Sequence, residues 1–304
     1  MRAIVVGLGV QGNKRREHAG EDYVACVDPN NSEADYNNIR DVNLDTYDAV
    51  LACLPDGPKV EILEFCLSHQ KHVLVEKPLW AAQDESIDKL EKIARTNQVV
   101  CYTAYNHRFE PHFMKMHDLI KSGELGKIYS CRMFYGNGTA RLVRDSAWRD
   151  KGAGVLPDLG SHLLDTCRYW FDTDLSTFEL TSAHRFENKA PDHVVISTVN
   201  QSLRIELEMT LCMWRNHFTC DILAENGTAH IESLCKWGPS IFTHRKRIFP
   251  SGRPTETQVT LVQPDPTWEA EYLHFKSLVE SNTASNLSID LSLQTQLRLL
   301  GERI

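Results

Sequence analysis

The sequence predicts an α/β protein with two parts: a parallel sheet with helices on its faces, then an α+β part with an open, mostly antiparallel sheet. Three observations lead to this fold class. Apolar runs alternate with helix-like segments over the first 105 residues, whereas five strand-like segments follow one another from about residue 178. The length of 304 residues exceeds what one core comfortably holds. We therefore expect two domains, residues 1–105 and 106–304, with the last helix able to pack back on the first.

The first domain is predicted element by element from its hydrophobic spacing. Helical spacing is seen in "KVEILEFCLSH" and in "DESIDKLEKIARTNQ". The connection over residues 29–47 lacks apolar periodicity, so we expect a loop where a crossover helix would normally lie. The predicted strands are the apolar runs at residues 2–6, 23–27, 48–54, 71–78 and 99–106.

The second domain begins with a helix in "EPHFMKMHDLIKSG", which Gly123 ends in the position that a C-terminal cap favours. A strand "KIYSCRMFYG", a basic loop and a helix within residues 152–170 come next. The Asn226-Gly227 pair predicts a hairpin, and two helices close the chain. The later strands are predicted in "TFELTSAHRF", "HVVISTVN", "LRIELEMTLC", "FTCDILA" and "TAHIES".

Composition excludes several classes of protein. The net charge of −8 gives no basic footprint for nucleic acid, and no apolar run approaches the roughly 18 residues of a membrane span. The N-terminus enters a strand directly, without the pattern of a signal peptide. Nine cysteines occur without a Cys-x-x-Cys pair, which predicts a reduced, cytoplasmic protein without disulfides or a zinc site.

The segment "GLGVQG" places Gly7, Gly9 and Gly12 in the spacing of a dinucleotide-binding turn between a strand and a helix. Amide groups at the start of such a helix face the phosphates of the ligand. Asp28 ends the next strand, where a carboxylate accepts a hydrogen bond from a ribose 2′-hydroxyl and repels a 2′-phosphate. The motif therefore predicts NAD as cofactor, with NADP less favoured; the alternative is a structural glycine turn that binds no ligand.

The segment "VLVEKPLW" presents Glu76 and Lys77 at the carboxyl end of the fourth strand, because Pro78 cannot continue the ladder. In an open α/β sheet this edge is where ligands bind. We expect Lys77 to lie in the binding crevice. The alternative is a surface lysine in an ordinary turn.

Together with "SGELGKI" at 122–128, "GAGVLPDLGSHLLD" at 152–165 and "ILAENGTAHIE" at 222–232, these motifs resemble the Gfo/Idh/MocA family of oxidoreductases. The resemblance implies a Rossmann domain followed by an α/β domain with an open sheet. It also implies oxidation or reduction of one carbinol carbon of a sugar, cyclitol or related molecule. Two departures are the missing crossover helix and Lys59, which stands near where many members have a histidine.

The resemblance implies that Lys77, Asp158 and His162 form the catalytic set. Removing hydride from a carbinol requires a base for the hydroxyl proton, and an imidazole has a suitable pKa. Lys77 would hold the substrate oxygen or relay the proton, and Asp158 would orient either cation. The alternative for His162 is a satisfied core histidine. For Asp165, pairing with an arginine and a catalytic role are both open.

Further residues are candidates for binding the substrate. In "YNHRFEP", Arg108 is either an anion or hydroxyl contact or part of a salt bridge, and the spacing of the histidines at 107, 112 and 117 predicts no metal site. The basic loop over residues 139–152 suits the phosphates of a nucleotide-linked sugar, or is simply solvated. The predicted substrate-binding residues are Lys77, Asn106, Arg108, Arg149, Asp158 and His162.

The sequence as a whole predicts an NAD-dependent dehydrogenase acting on CH–OH groups of a small sugar-type substrate. Redox-neutral glycoside cleavage or elimination, and a non-catalytic NAD-binding regulator, are the alternatives. An exposed sheet in the second domain predicts a homodimer or homotetramer through that face. The predicted cofactor-binding residues are Gly7, Gly9, Val10, Gln11, Gly12, Asp28, Leu54, Pro55, Glu76 and Lys77.

Overall fold

The computed structural model describes residues 1–146 and 149–304. Ala147 and Trp148, in the predicted basic loop, lie outside the described residues. The chain divides into two compact units: Met1–Asn106 with Thr267–Thr295, and His107–Pro266 with Gln296–Ile304. The functional boundary predicted between residues 105 and 106 stays a prediction.

The predicted α/β architecture is confirmed in the described ranges. The helices are α1 (Val10–Ala19), α2 (Asp56–Ser68), α3 (Glu85–Thr96), α4 (Pro111–Lys121), α5 (Ala140–Arg144), α6 (Ser161–Phe171), α7 (Thr267–Glu280) and α8 (Ser288–Gly301). The strands are β1 (Ala3–Val6), β2 (Tyr23–Val27), β3 (Ala49–Ala52), β4 (His72–Glu76), β5 (Cys101–Ala104), β6 (Ile128–Gly136), β7 (Phe178–His184), β8 (His193–Thr198), β9 (Arg204–Thr210), β10 (His217–Ala224), β11 (Gly227–Glu232), β12 (Ser240–Lys246) and β13 (Thr255–Leu261).

The first unit contains a five-stranded parallel sheet in the order β2-β1-β3-β4-β5. Every residue of β1 and β3 is buried, as expected for central strands of a parallel sheet that is covered on both faces. Residues 29–47 contain two 3-10 turns, Ile39–Asp41 and Leu44–Thr46, in place of a crossover helix, as the sequence predicts. Because the five strands are parallel, their carboxyl ends lie side by side along one edge of the sheet.

The second unit contains an eight-stranded sheet in the order β13-β12-β11-β10-β6-β9-β8-β7. Its pairs are antiparallel except β6 with β9. The predicted hairpin joins β10 to β11 through a two-residue turn, with Ala224 paired to Gly227. Gly123 follows α4 with φ +74°, the left-handed conformation expected after a helix end.

The sequence analysis missed β12 and β13, and the reason differs for each strand. In β12, "SIFTHRK" mixes apolar and basic residues, so its alternation is weak. Strand β13, "TETQVTL", lies at the sheet edge and is mostly exposed, so it needs no apolar face. Both strands are fixed by pairing with the preceding strand more than by their own composition.

Among the described residues, no helix combines the length and apolar character that crossing a bilayer would need.

The buried histidine of α4 gives the second unit a dependence on pH. His112 is 1% exposed, and its Nε2 donates to the Ser240 carbonyl oxygen at 3.1 Å. Burial lowers the pKa of His112. The folded chain therefore keeps a neutral imidazole, whereas the unfolded chain takes up a proton below about pH 6.5. Stability contributed by this group is present above that pH and is lost as the pH falls below it.

We expect His112→Gln, which keeps a donor but cannot titrate, to flatten the fall in thermal midpoint between about pH 7 and 5. Burial also lowers the pKa of His72 and of His244. The dependence of the thermal midpoint on pH should therefore be reduced rather than abolished. The exposed His69 provides the control as His69→Gln. An unchanged slope in the His112 variant would contradict the assignment.

Candidate active site

The glycine turn of the first unit excludes side chains at two positions. Gly7 has φ +94°, and a Cβ there would lie 2.2 Å from the Cys53 carbonyl oxygen. A Cβ on Gly12 would lie 1.8 Å from the Gly7 carbonyl oxygen. These two glycines are therefore required by the close packing of β1, α1 and the chain after β3. At Gly9, by contrast, a Cβ would meet no atom of the described residues within 4 Å.

The start of α1 fits a phosphate group. Gly9 is the N-cap and offers no side-chain cap, and the first turn holds no acidic residue. The first-turn amides, including those of Val10, Gln11 and Gly12, are the groups that bind phosphate at other helix N-termini. Gly9 also leaves open space on this side. We call the glycine turn together with these first-turn amides the cradle, and it suits a pyrophosphate.

Asp28 is held in place by backbone amides. Its Oδ2 accepts from the Leu8 amide at 2.8 Å, which links the end of β2 to the glycine turn. Its Oδ1 accepts from the amides of Asn30 at 2.8 Å and Asn31 at 3.1 Å. The carboxylate is thus fixed beside the predicted ribose position, and its contact with a ribose hydroxyl stays a prediction.

The remaining candidates of the first unit lie on the same sheet edge. Leu54 and Pro55 follow β3, Glu76 ends β4, and Lys77 follows Glu76. Asn106, after β5, donates to the Thr267 hydroxyl at 2.8 Å. The structure therefore brings the predicted cofactor residues to one edge of the parallel sheet.

Lys59, noted in the sequence as a departure from the family pattern, has a structural role. It is 2% exposed, and its Nζ donates to the Asp56 carboxylate at 2.8 Å and to the Pro78 carbonyl oxygen at 2.9 Å. It therefore ties the first turn of α2 to the segment that follows Lys77.

The sequence analysis missed Arg15, which lies on the buried face of α1. It is 1% exposed and donates to Glu76 at 2.7 Å and to Glu271 of α7 at 2.6 Å, with its guanidinium 4.4 Å from the Trp268 ring centre. Burial alone would lower the pKa of Arg15, but the two carboxylates raise it, so the guanidinium stays charged. Glu76, predicted to bind the cofactor, is thus also a partner of this arginine. A single sequence gives no signal that a particular charged residue of a helix will be buried.

The glycines yield a paired prediction. Gly12→Ala should cost about 3 kcal/mol or more of stability, because backbone atoms must move. Gly9→Ala should leave the thermal midpoint nearly unchanged and weaken NAD binding at least about tenfold, or ~1.4 kcal/mol, since its methyl occupies the open cradle. Calorimetry and titration with NAD would measure both effects. Unweakened NAD binding by a folded Gly9→Ala would contradict the cradle.

The helix predicted within residues 152–170 begins differently from a regular α-helix. Leu156–Gly160 form a π-helical turn, which passes directly into α6. The side chain of Asp158 is 40% exposed, whereas His162 is 8% and Asp165 is 1% exposed. The three polar residues therefore do not form the uniform stripe that a regular helix would give.

His162 lies in an aromatic and basic environment within the second unit. Its ring stacks on that of His107, with centroids 4.0 Å apart and planes at 16°, and the Tyr135 ring is 6.2 Å away. Lys236 donates to His107 Nε2 at 3.4 Å and lies 3.3 Å from the Tyr135 hydroxyl. Sequence reasoning missed Tyr135 and Lys236 as site residues. Neither lies in a motif, and they meet only in the folded unit, where Tyr135 of β6 contacts Lys236 in the chain between β11 and β12.

Two ion pairs flank His162. Arg149 contacts Asp158 at 3.5 Å. Arg108 donates to both carboxylate oxygens of the buried Asp165, with Nε at 2.9 Å. Burial raises the pKa of Asp165, and Arg108 opposes that effect. The Arg108–Asp165 ion pair corresponds to the salt bridge that the sequence analysis left open for each of these two residues. A contact between Arg108 and substrate stays a prediction.

Part of the predicted basic loop is helical. Arg141 and Arg144 lie on the short helix α5. Within the described ranges, no group of three histidine, cysteine, aspartate or glutamate side chains could hold a metal ion.

The fold is that of a two-part protein whose first part has the parallel sheet and glycine turn typical of dinucleotide-binding domains. Residues 1–105 match the family model of the oxidoreductase family with an NAD-binding Rossmann fold, and residues 113–230 match that of the GFO/IDH/MocA C-terminal domain. The chain belongs to the GFO/IDH/MocA family.

Curated relatives are similar over part of their length. Glucose-6-phosphate 3-dehydrogenase of Bacillus subtilis is 28% identical over 147 residues, 47% of this chain and 41% of that protein. Myo-inositol 2-dehydrogenase of Thermotoga maritima is 28% identical over 136 residues, which is 43% of this chain and 37% of that protein. The matches span less than half the length of these two relatives.

Solved structures share the fold. Levoglucosan dehydrogenase in complex with NADH superposes with a TM-score of 0.82 at 16% identity, covering 100% of this chain and 95% of that one. GenD2 from gentamicin A biosynthesis, in complex with NAD, gives a TM-score of 0.77 at 17% identity, covering 100% and 93%.

Proposed function

We propose that the protein is an NAD-dependent dehydrogenase that oxidises or reduces one carbinol carbon of a sugar, cyclitol or nucleotide-linked sugar. The observation that carries the proposal is the His162 imidazole, little exposed, stacked on His107 and one turn from Asp158. Histidine suits the role of general base, because the ordinary pKa of an imidazole is close to neutral pH.

In the proposed reaction, His162 accepts the hydroxyl proton of the carbinol. Lys77 holds the substrate oxygen, and Asp158, oriented by Arg149, positions a cationic or hydroxyl group. When bound, NAD⁺ would supply the hydride acceptor, so that conversion of the carbinol to a carbonyl balances with NADH and one proton as the other products. The glycine cradle, Asp28 and the residues after β3 and β4 would hold that cofactor.

The substrate class is supported by the relatives. Two are named as dehydrogenases of a sugar phosphate and an inositol. A nucleotide-linked sugar is the further candidate, because Arg141, Arg144, Arg149 and Lys151 are the cations near α5 that would face its phosphates.

We also propose that the eight-stranded sheet mediates a homodimer or homotetramer. Its outer face includes the 51% exposed Leu223 and 39% exposed Tyr129. Light scattering of the wild type and of Leu223→Glu would test this, and an unchanged mass would contradict it. The nine free cysteines favour the proposed cytoplasmic location.

The function is tested by following NADH fluorescence while free sugars, inositols and nucleotide-linked sugars are added to the protein with NAD. We expect turnover with one class of carbinol. If NAD binds but no compound is oxidised, and no carbonyl is reduced by NADH, the dehydrogenase proposal fails. Product analysis without net change in NADH would then favour redox-neutral cleavage or elimination. Absence of any product would favour a regulator.

A further inference from the structure

Lys236 carries a positive charge that has no counter-ion at contact distance. Its Nζ lies 3.4 Å from His107 Nε2 and 3.3 Å from the Tyr135 hydroxyl. Within residues 1–146 and 149–304, no carboxylate lies within 4 Å of this ammonium group. An ammonium group has three donors, so one remains for a ligand.

Aromatic rings border this ammonium group within the second unit. Its Nζ lies 4.7 Å from the Trp237 ring centre, and the Tyr135 and Trp237 rings are 5.7 Å apart. Burial lowers the pKa of Lys236, while Asp265, Glu110 and Asp158 oppose that effect from a greater distance. Lys236 as a whole is nevertheless an exposed residue. A partly desolvated cation that is still accessible is a favourable place for an anion, because its attraction is less screened than at an open surface.

The Lys236 ammonium group lies close to the candidate base. Lys236 contacts His107, and His107 stacks on His162 at 4.0 Å. The His107 ring therefore connects Lys236 to His162, which brings the ammonium group and the candidate base into one part of the second unit.

We propose that Lys236 binds an anionic substituent of the substrate, so that the preferred substrate is a sugar or cyclitol bearing a carboxylate or a phosphate ester. This inference rests on the proposed function for the carbinol chemistry. The oxyanion accepts from the Lys236 ammonium group, and the Tyr135 hydroxyl is positioned to contact the same oxyanion. Carboxylate and phosphate share this chemistry, and the experiment separates them.

The test measures the accessibility of Lys236 and needs no turnover. Trace acetylation of the NADH-loaded protein, followed by mass spectrometry of the peptides, gives the reaction rate of each lysine. The exposed Lys189 serves as an internal reference. The probes are D-glucose, D-glucuronate and D-glucose 6-phosphate, which share a skeleton, with acetate and inorganic phosphate as probes that lack it.

We expect at least one acidic probe to protect Lys236 from acetylation. At the same concentration, D-glucose should not protect Lys236, and the acetylation rate of Lys189 should stay unchanged. Protection by glucuronate and acetate would assign a carboxylate, and protection by glucose 6-phosphate and inorganic phosphate would assign a phosphate. Equal protection by D-glucose, or protection by none of the probes, would overturn the proposal. Because no turnover is required, these results remain distinct from failure of the dehydrogenase assay.

Variants give a second readout. For an acidic substrate, Lys236→Met should raise KM about ten- to a hundredfold with a smaller change in kcat, since a charge-assisted hydrogen bond is removed. Lys236→Arg should recover part of the loss because it keeps the charge. A fall in kcat with KM unchanged would indicate proton transfer or positioning of His107 instead, and would overturn the binding role.

Discussion

His162→Ala is expected to lower kcat by about 10²- to 10⁴-fold while leaving NAD affinity close to that of the wild type. The expectation rests on the proposed role of the imidazole as acceptor of the carbinol proton. The cradle for the cofactor belongs to the first unit, and His162 belongs to the second. Loss of this side chain should therefore act on turnover rather than on cofactor binding.

A matched control is available in the same unit. His117 of α4 also stacks on an aromatic ring, that of Tyr169 at 4.3 Å and 5°, but has no part in the proposed reaction. His117→Ala should keep kcat within about twofold, since removing an uninvolved side chain leaves the proton transfer unchanged. Comparison of the two variants separates the loss of a base from the loss of a stacked ring. If His162→Ala also turned over at close to the wild-type rate, the assignment of the base would be wrong.

The pH profile provides a further readout. Loss of a titrating base should remove the acid limb of the kcat profile in the residual activity of His162→Ala. A variant damaged only in its packing would keep the same limb at a lower rate.

Arg15→Met should lower the free energy of unfolding of the first unit by about 3–5 kcal/mol. The substitution roughly preserves side-chain volume but leaves Glu76 and the fully buried Glu271 without their shared cation. The cost comes from the two carboxylates rather than from the lost hydrogen bonds alone, because buried charge without a partner is strongly destabilising.

The neighbouring arginine provides the control. Arg16 follows Arg15 in α1 but is exposed, so Arg16→Met should change stability by no more than about 0.5 kcal/mol. The double variant Arg15→Met with Glu271→Met should recover part of the loss, since the fully buried carboxylate is removed together with the cation. Chemical unfolding of the variants measures these differences. Additive effects of the two substitutions would contradict a coupled ion network.

Local pattern was sufficient to predict the class of fold. Apolar runs of four or five residues followed by helix-like spacing predict a parallel sheet, because buried central strands must be apolar on both faces. The lack of periodicity over residues 29–47 likewise predicted the missing crossover helix. Strand β13 escaped prediction because an exposed edge strand needs no apolar residues of its own.

The sequence by itself determined the parallel sheet and the glycine turn, because each depends on residues that are neighbours along the chain. The candidates His162 and Lys77 came from the resemblance of its motifs to the family, and their roles stay predictions. Only the tertiary structure decided that Arg15 is buried between two glutamates. It also decided that Lys236 comes to lie beside His107 and Tyr135. These contacts join residues separated by 61 to 256 positions in the chain. The physical reason is that the partner, and hence the charge state and role, of a polar side chain depends on which distant segment packs against it.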